Sequence, residues 1–312
     1  MIRFCIINYN LLTMKNCVLR FICFALMFGV VFSACKKENK AGNTSQVEQN
    51  LEAKEKTTIV PEFQIFKAED STEFCRVELS VEYPVKGEEL YLDSVRNWMN
   101  NILKTDVFNW EGGNLRKFKG DLSNGQKLVN HYAAAQMKKD IDKDERDFLR
   151  EMGVMYECSH NVEVSFKGEN LTSIYFSTYV YTGGAHGGML NSAATFDNKN
   201  GKQIGWEIFT DKRKVRKHII QGLMKYFEVK SKKDLADCLL VSLDTLPLPV
   251  TTPYFNKNGL VLTYNQYEIA PYAAGMPADI ITWKECQHYL RPEYWELIKK
   301  DIEKISSKKK TK

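Results

Sequence analysis

Short signatures of the common catalytic sites are missing from this 312-residue chain, and so are long apolar runs over most of its length. The five histidines, His131, His160, His186, His218 and His288, each stand alone. With no H-E-x-x-H or C-x-x-C spacing, neither a metal site nor a cofactor is expected. No G-x-S-x-G elbow and no Walker loop occurs, which removes the usual serine-hydrolase and nucleotide-binding readings. Excess charge is missing as well. The formal charge of +5 includes Arg3, Lys15 and Arg20, all within the first 34 residues, where no acid occurs; the remaining 41 basic residues face 39 acidic ones. A body so close to neutral lacks the electrostatic footprint of a nucleic-acid binder.

The one pronounced apolar run lies at the N-terminus. Phe21 to Phe32 spans 12 residues behind Lys15 and Arg20. That is short of the roughly 20 residues needed to cross a bilayer and fits the apolar core of a signal peptide. Ser33-Ala34-Cys35 then resembles the bacterial lipobox, in which the cysteine receives acyl chains such as palmitate and becomes the new N-terminus. Residues 1–34 therefore read as a signal peptide, from Met14 more naturally than from Met1, and Cys35 as the lipid attachment. Residues 35–58 are polar and too poor in apolar groups to offset chain entropy, so they read as a flexible tether. Such a chain reaches about 25–30 Å on average. The expectation is a lipoprotein of the cell envelope, anchored to a bacterial membrane, the outer one by preference. Its folded part would stand in the periplasm or at the cell surface.

Beyond the tether the apolar periodicity switches between two and near four. Val77, Leu79, Val81 and Tyr83 alternate with Arg76, Glu78, Ser80 and Glu82, which predicts a half-buried strand ended by Pro84. Residues 88–104 take helical spacing through Leu92, Val95, Met99, Ile102 and Leu103. A second helix is expected from Ser123, with Gln126 completing a capping box, through Tyr132 and Met137 towards Leu149 and closed by Gly153. Strands follow at 156–166 and 171–181 around a turn at Lys167-Gly-Glu-Asn170, then a hairpin of 190–196 and 203–208. Asp211 caps a helix with the stripe Val215, Ile219, Leu223 and Phe227. Strands near 259–264 and 278–283, a helix over 292–305 and a basic tail at 306–312 complete the chain. Segregated strands and helices predict an α+β fold with mainly antiparallel sheets, packed helices and two closely associated subdomains.

Two stretches concentrate what chemistry there is. Tyr181-Thr-Gly-Gly-Ala-His-Gly-Gly188 puts glycines 183, 184, 187 and 188 beside His186 at the end of a strand. Backbone of this kind either shapes a concave ligand site from exposed N–H groups or turns a tight corner between strands. The second stretch, Tyr264-Asn-Gln-Tyr-Glu-Ile-Ala-Pro-Tyr272, is dense in tyrosines, which serve equally as a core edge or as interface anchors. Glu268 within it has no evident partner carboxylate for sugar chemistry and otherwise reads as a carboxylate bonded to a loop. Thr195-Phe-Asp-Asn198 is read as part of a turn rather than as a metal motif, because no His-x-x-x-His pair follows. Cys75, Cys158, Cys238 and Cys286 remain after Cys35, an even number that allows disulfides or buried thiols.

Tyr181-Thr-Gly-Gly-Ala-His186 with Phe196-Asp197 and Gly201-Lys202, and the run from Tyr254 to Gly275, resemble the paired extracytoplasmic DUF4163 and DUF3298 domains. These occur in the RsiV-like anti-sigma sensor region and beside a peptidoglycan deacetylase domain. The resemblance places a DUF4163-like domain at 59–189 and a DUF3298-like domain at 190–305. In the sensor the region binds lysozyme, so the resemblance implies a binding module rather than an enzyme, recognising a lysozyme-like protein or a peptidoglycan glycan. The candidate ligand-binding residues are Gly183, Gly184, His186, Gly187, Tyr264, Tyr267, Glu268 and Tyr272; no catalytic residue is assigned. A peptidoglycan- or glycan-modifying enzyme is the alternative.

Overall fold

The computed structural model describes residues 58–109, 113–138 and 140–310, with side chains to residue 303. The predicted signal peptide, Cys35 and all but the last residue of the tether lie outside the described residues. Thr58–Lys312 forms one compact unit, and two hydrophobic cores lie within it.

The first core is built on a six-stranded sheet in sequence order: β1 (Glu62–Ser71), β2 (Cys75–Lys86), β3 (Tyr156–Lys167), β4 (Leu171–Tyr181), β5 (Gly188–Asp197) and β6 (Gln203–Ile204). All neighbours run antiparallel except β2 and β3, which are parallel. A parallel pair needs a long crossover. The chain supplies it as α1 (Glu89–Ile102), α2 (Gly125–Gln136) and α3 (Lys143–Met152). The alternation in β2 is realised: Val77, Leu79, Val81 and Tyr83 are buried against Val95, Met99, Leu128 and Tyr132 of the helices.

Two expectations are corrected here and one strand is added. Pro84 does not end β2, which runs on to Lys86. The single helix from Ser123 to Leu149 is two helices. The backbone leaves the helical region at Met137, and Asp142 caps a new start by accepting the Glu145 N–H. No capping box forms at the first start. Asn124 is the cap, Ser123 bonds Asp121, and the Gln126 amide donates to the Lys67 carbonyl, tying α2 to the edge strand. Strand β1 is the other difference. Its core-contacting residues, Phe63, Phe66 and Ala68, break the two-residue period, so no strand pattern is visible in the sequence.

The second core joins an antiparallel sheet of β7 (Tyr254–Asn256), β8 (Gly259–Thr263) and β9 (Ala278–Thr282) to α4 (Lys212–Tyr226), α5 (Lys232–Cys238), α6 (Trp283–Cys286) and α7 (Pro292–Lys310). The predicted stripe of α4 holds, with Val215, Ile219 and Leu223 buried. Gly222 gives room on that helix, since a Cβ there would lie 2.1 Å from the Asp279 carboxyl group. Asp279 in turn reaches His218 at 3.0 Å, which raises the imidazole pKa and fixes α4 against β9. Helix α7 continues to Lys310, five residues beyond the end suggested by its pattern.

Buried polar groups complete the packing. His160, on the inward face of β3, contacts Gln136 through Nε2 at 3.0 Å, and burial lowers its pKa to about 4. It is a neutral core residue. The four cysteines are free thiols, and burial pushes Cys158 and Cys286 up to about 12.

Asp301 of α7 ties the second core to the six-stranded sheet. Its carboxylate accepts the N–H groups of Glu169 (2.8 Å), Asn170 (3.0 Å) and Leu171 (3.0 Å) in the β3–β4 turn. It also accepts the Asn170 side-chain amide at 2.9 Å. Gly168 allows this approach, because a Cβ there would sit 2.1 Å from the carboxylate. Asp301→Ala strands these buried donors and is expected to lower the unfolding free energy by about 3 kcal/mol. Urea unfolding checks it, and a loss under about 1 kcal/mol would show that the turn does not depend on the carboxylate.

Candidate functional site

The glycine-rich stretch proves to be the β4–β5 hairpin connection, since Val180 pairs with Gly188. Two of its glycines are required by geometry. Gly183 has φ +80, and a Cβ on Gly187 would lie 2.3 Å from the Tyr179 ring. Gly184 is different: it lies outside the left-handed region and nothing approaches its Cβ position within 4 Å. The Tyr181 hydroxyl donates to the Gly184 carbonyl at 3.0 Å and braces the loop. His186 is exposed, with Nδ1 3.0 Å from the Gly187 carbonyl.

Strand β5 turns one backbone edge away from β4, and β6 covers that edge only near Thr195. Side chains from the segment 264–266 and from residues 251–252 complete it. Gln266 accepts the Met189 N–H at 2.7 Å and Asn265 accepts the Asn191 N–H at 2.6 Å. The Asn265 amide returns a bond to the Asn191 carbonyl at 3.2 Å, and Thr251 donates to the same carbonyl at 3.1 Å. Thr252 donates to the Ala193 carbonyl. Together these side chains behave as a missing strand.

This docking sets the tyrosines of the second stretch beside the glycine loop. Tyr272 stacks on His186, ring centroids 3.6 Å apart and 16° from parallel, and Tyr267 lies 5.8 Å from Tyr272. The result is a row of three rings, His186, Tyr272 and Tyr267, with His186 and Tyr267 exposed. Tyr267 has φ +62, one of two non-glycine residues among the described residues with positive φ. A side chain in that region is strained by roughly 1–2 kcal/mol, and strain of this kind concentrates at functional surfaces.

Three candidates leave the set of contact residues. Tyr264 is 1% exposed and donates its hydroxyl to the Pro247 carbonyl at 2.7 Å, so it is core. Glu268 turns inward to accept the Val250 N–H at 2.7 Å and the Asn265 N–H at 2.8 Å, so it shapes the loop. Gly187 is buried against the Tyr179 ring and shapes the loop from within, while Gly183, Gly184, His186, Tyr267 and Tyr272 meet on one surface. Sequence reasoning overlooked Asn265, Gln266, Thr251 and Thr252, whose polar side chains carry no pattern that announces a partner strand. Asp197 caps its own turn by accepting the Lys199 N–H at 2.8 Å, as the turn reading has it. Among the described residues, no group of three or more His, Cys, Asp or Glu is placed to hold a metal ion, and no helix is long and apolar enough to cross a membrane.

Burial raises the Glu268 pKa from 4.5 to about 6, against the opposing pull of its two backbone donors. The folded state thus holds this proton more tightly than the unfolded chain. The stability contributed is full below about pH 4.5 and is lost as pH rises through 6. Relative to Glu268→Gln, the wild type should gain about 2 kcal/mol between pH 7 and pH 4.5 in urea unfolding. Parallel pH profiles would refute the burial argument. A second expectation concerns the strained tyrosine. Tyr267→Gly should unfold at the wild-type urea midpoint or above it, and Tyr267→Val below it. The reverse order would show that Tyr267 packing outweighs its strain.

Residues 69–189 match the family model described as "Deacetylase PdaC", and residues 207–284 match "Protein of unknown function (DUF3298)". A crystal structure of a DUF3298-family member from Bacteroides fragilis aligns with a TM-score of 0.55 at 20% identity, covering 74% of this chain and 94% of that one. A DUF3298-family protein from Pseudomonas aeruginosa gives a TM-score of 0.48 at 14% identity over 74% and 94%. No curated protein matches the chain. The Bacteroides likeness supports the fold, and the two family matches fall on the two sides of the ring row. The chain carries a PdaC-type region followed by a DUF3298 region, the family pairing that its two motif stretches resemble.

Proposed function

We propose that this chain is a lipid-anchored cell-envelope binding protein that engages an extracytoplasmic ligand at the surface formed by the Gly183–Gly188 loop and the Tyr267–Tyr272 segment. The observation that carries the reading is the meeting itself: the two stretches that resemble the family come together as one exposed aromatic surface. Exposed tyrosines bring contact area at small entropic cost and recur as interface anchors. His186 Nδ1 lies against the Gly187 carbonyl, and the Glu268 carboxylate is already committed to two backbone donors. That arrangement favours binding over turnover.

The anchor rests on the signal-like run ending at Cys35. Cys35→Ala should shift the protein from the membrane to the soluble fraction or leave the precursor uncleaved; unchanged mature mass and membrane fraction would remove the lipoprotein reading. The binding role is tested by titrating purified protein with lysozyme and with soluble peptidoglycan fragments. The expected result is saturable capture of one of them, lost in Tyr272→Ala. The PdaC match supports the enzymatic alternative, and it prevails if N-acetylated muropeptides release acetate in the presence of the wild type and the folded His186→Ala form releases none.

A further inference from the structure

We propose that the lysine-rich C-terminal part of α7 is a membrane contact in its own right, binding the anionic headgroups of a bilayer and standing the ring row away from the lipid. Strands β1 and β4 begin at one end of the six-stranded sheet, and β2, β3 and β5 finish there. Glu62 pairs with Lys86, Lys167 with Thr172, and Leu171 with Asp197. The tether joins the folded unit at this end. Ile59 donates its N–H to the Glu88 carboxylate at 3.1 Å, and Glu62 is held below its usual pKa by Lys86 and, less, by Lys167 of the β3–β4 turn. Helix α7 crosses the same end. Lys202, just before β6, donates to the Tyr294 hydroxyl at 3.1 Å, and the Leu297 carbonyl accepts the Asn170 amide at 3.3 Å. Asp301 then holds the turn at 169–171. The helix thus runs from the β6 side to the β3–β4 turn, in the direction of β1. Its last nine residues carry it about 14 Å past Asp301.

Charge selects the occupant. Residues 304–312 hold five lysines and no acid. Lys299 and Lys300 before them are exposed, Glu303 is the exposed acid among them, and Asp301 is spent on the turn. Positions 300, 304 and 308, all lysine, recur at the spacing of one helix face. At the strand ends and turns nearby, Glu62, Glu169 and Asp197 stand against Lys86, Lys167 and Lys199, so the excess positive charge is that of the helix. A body otherwise near neutral does not match a nucleic acid, whereas a lysine cluster beside the tether junction matches a bilayer that the tether keeps within reach. Each lysine near an anionic surface strengthens binding about fivefold. Tyr181 and Gly188, which flank the glycine loop, lie at the opposite ends of β4 and β5. The 11 residues of β4 put roughly 33 Å between the lysine end and the loop. Headgroup contact by α7 therefore turns the ring row outward, which a flexible tether alone does not do.

The test uses the unacylated chain 36–312, which contains the whole compact unit, sedimented with phosphatidylcholine vesicles with and without about 30% phosphatidylglycerol. The expected result is binding to the anionic vesicles alone, weakened by salt. Changing Lys304, Lys308, Lys309, Lys310 and Lys312 together to Gln should weaken it about a hundredfold or more. Exposed Lys212, Arg213 and Lys217 of α4 form a second basic patch, and their joint change to Gln should leave binding as in wild type. Urea midpoints near wild type certify that the variants are folded. Absence of binding to the anionic vesicles overturns the proposal, as does binding that survives the five substitutions or is lost with the α4 patch. Binding to soluble polyglutamate with none to vesicles overturns the lipid assignment. Vesicle binding weakened in Tyr272→Ala overturns the orientation, because the rings would then be touching lipid. The chain tested carries no acyl group, so these results stand apart from lipidation at Cys35 and from ligand capture.

Discussion

A β-strand with a bare edge is a liability, because its N–H and C=O groups are obligatory hydrogen-bonding groups that another chain can satisfy. Strand β5 faces this problem between Met189 and Ala193. The solution is made of side chains. Gln266, Asn265, Thr251 and Thr252 deliver an acceptor, an amide fork and two hydroxyls to the alternate residues 189, 191 and 193. Asn265 carries the most, since one amide group both accepts from and donates to the backbone of Asn191. Because the requirement is met at fixed two-residue intervals, the segment 264–266 has one register on β5. Its register in turn fixes where Tyr267 and Tyr272 fall relative to His186.

Much of the scaffold was legible beforehand. Alternation in β2, the four-residue stripe of α4 and the Lys167–Asn170 turn each announce a local structure whose apolar face has one place to go. The β1 strand was not legible, since its core contacts at 63, 66 and 68 fit neither period. Nor was the parallel pairing of β2 with β3, which depends on a crossover longer than any local pattern. At the candidate site, the two stretches singled out in the sequence do meet in space, though not through every residue named. Tyr264 and Glu268 look like contact groups in a string of letters, and only tertiary packing turns one into core and the other into a loop brace. The positive φ of Tyr267 has no signature at all, because glycine or asparagine is the residue expected there.

The lock beneath the site is neutral. Asparagine, glutamine and threonine side chains make their bonds without ionising, so the bonds that complete the β5 edge do not depend on pH. Glu268 is the exception, and its position is telling: it stands one step behind the row, holding the backbone of Asn265 and Val250. Ionising it weakens folding without placing charge on the exposed rings. The loop behind the rings thereby becomes slightly easier to open above pH 6.

The same edge bears on why a PdaC-type region and a DUF3298 region stand together in this chain. The first match ends at residue 189, where β5 has barely begun, and the side chains that complete β5 come from residues 251–266, inside the second match. Taken alone, the first region would end in an exposed strand with unpaired backbone, and the second would hold four polar side chains with no backbone to satisfy. Each half removes the other's defect, at the seam where the three rings are assembled. A surface built this way cannot be inherited by either half separately. Its aromatic row exists only where the hairpin loop of one region and the tyrosine segment of the other are held in register by Asn265.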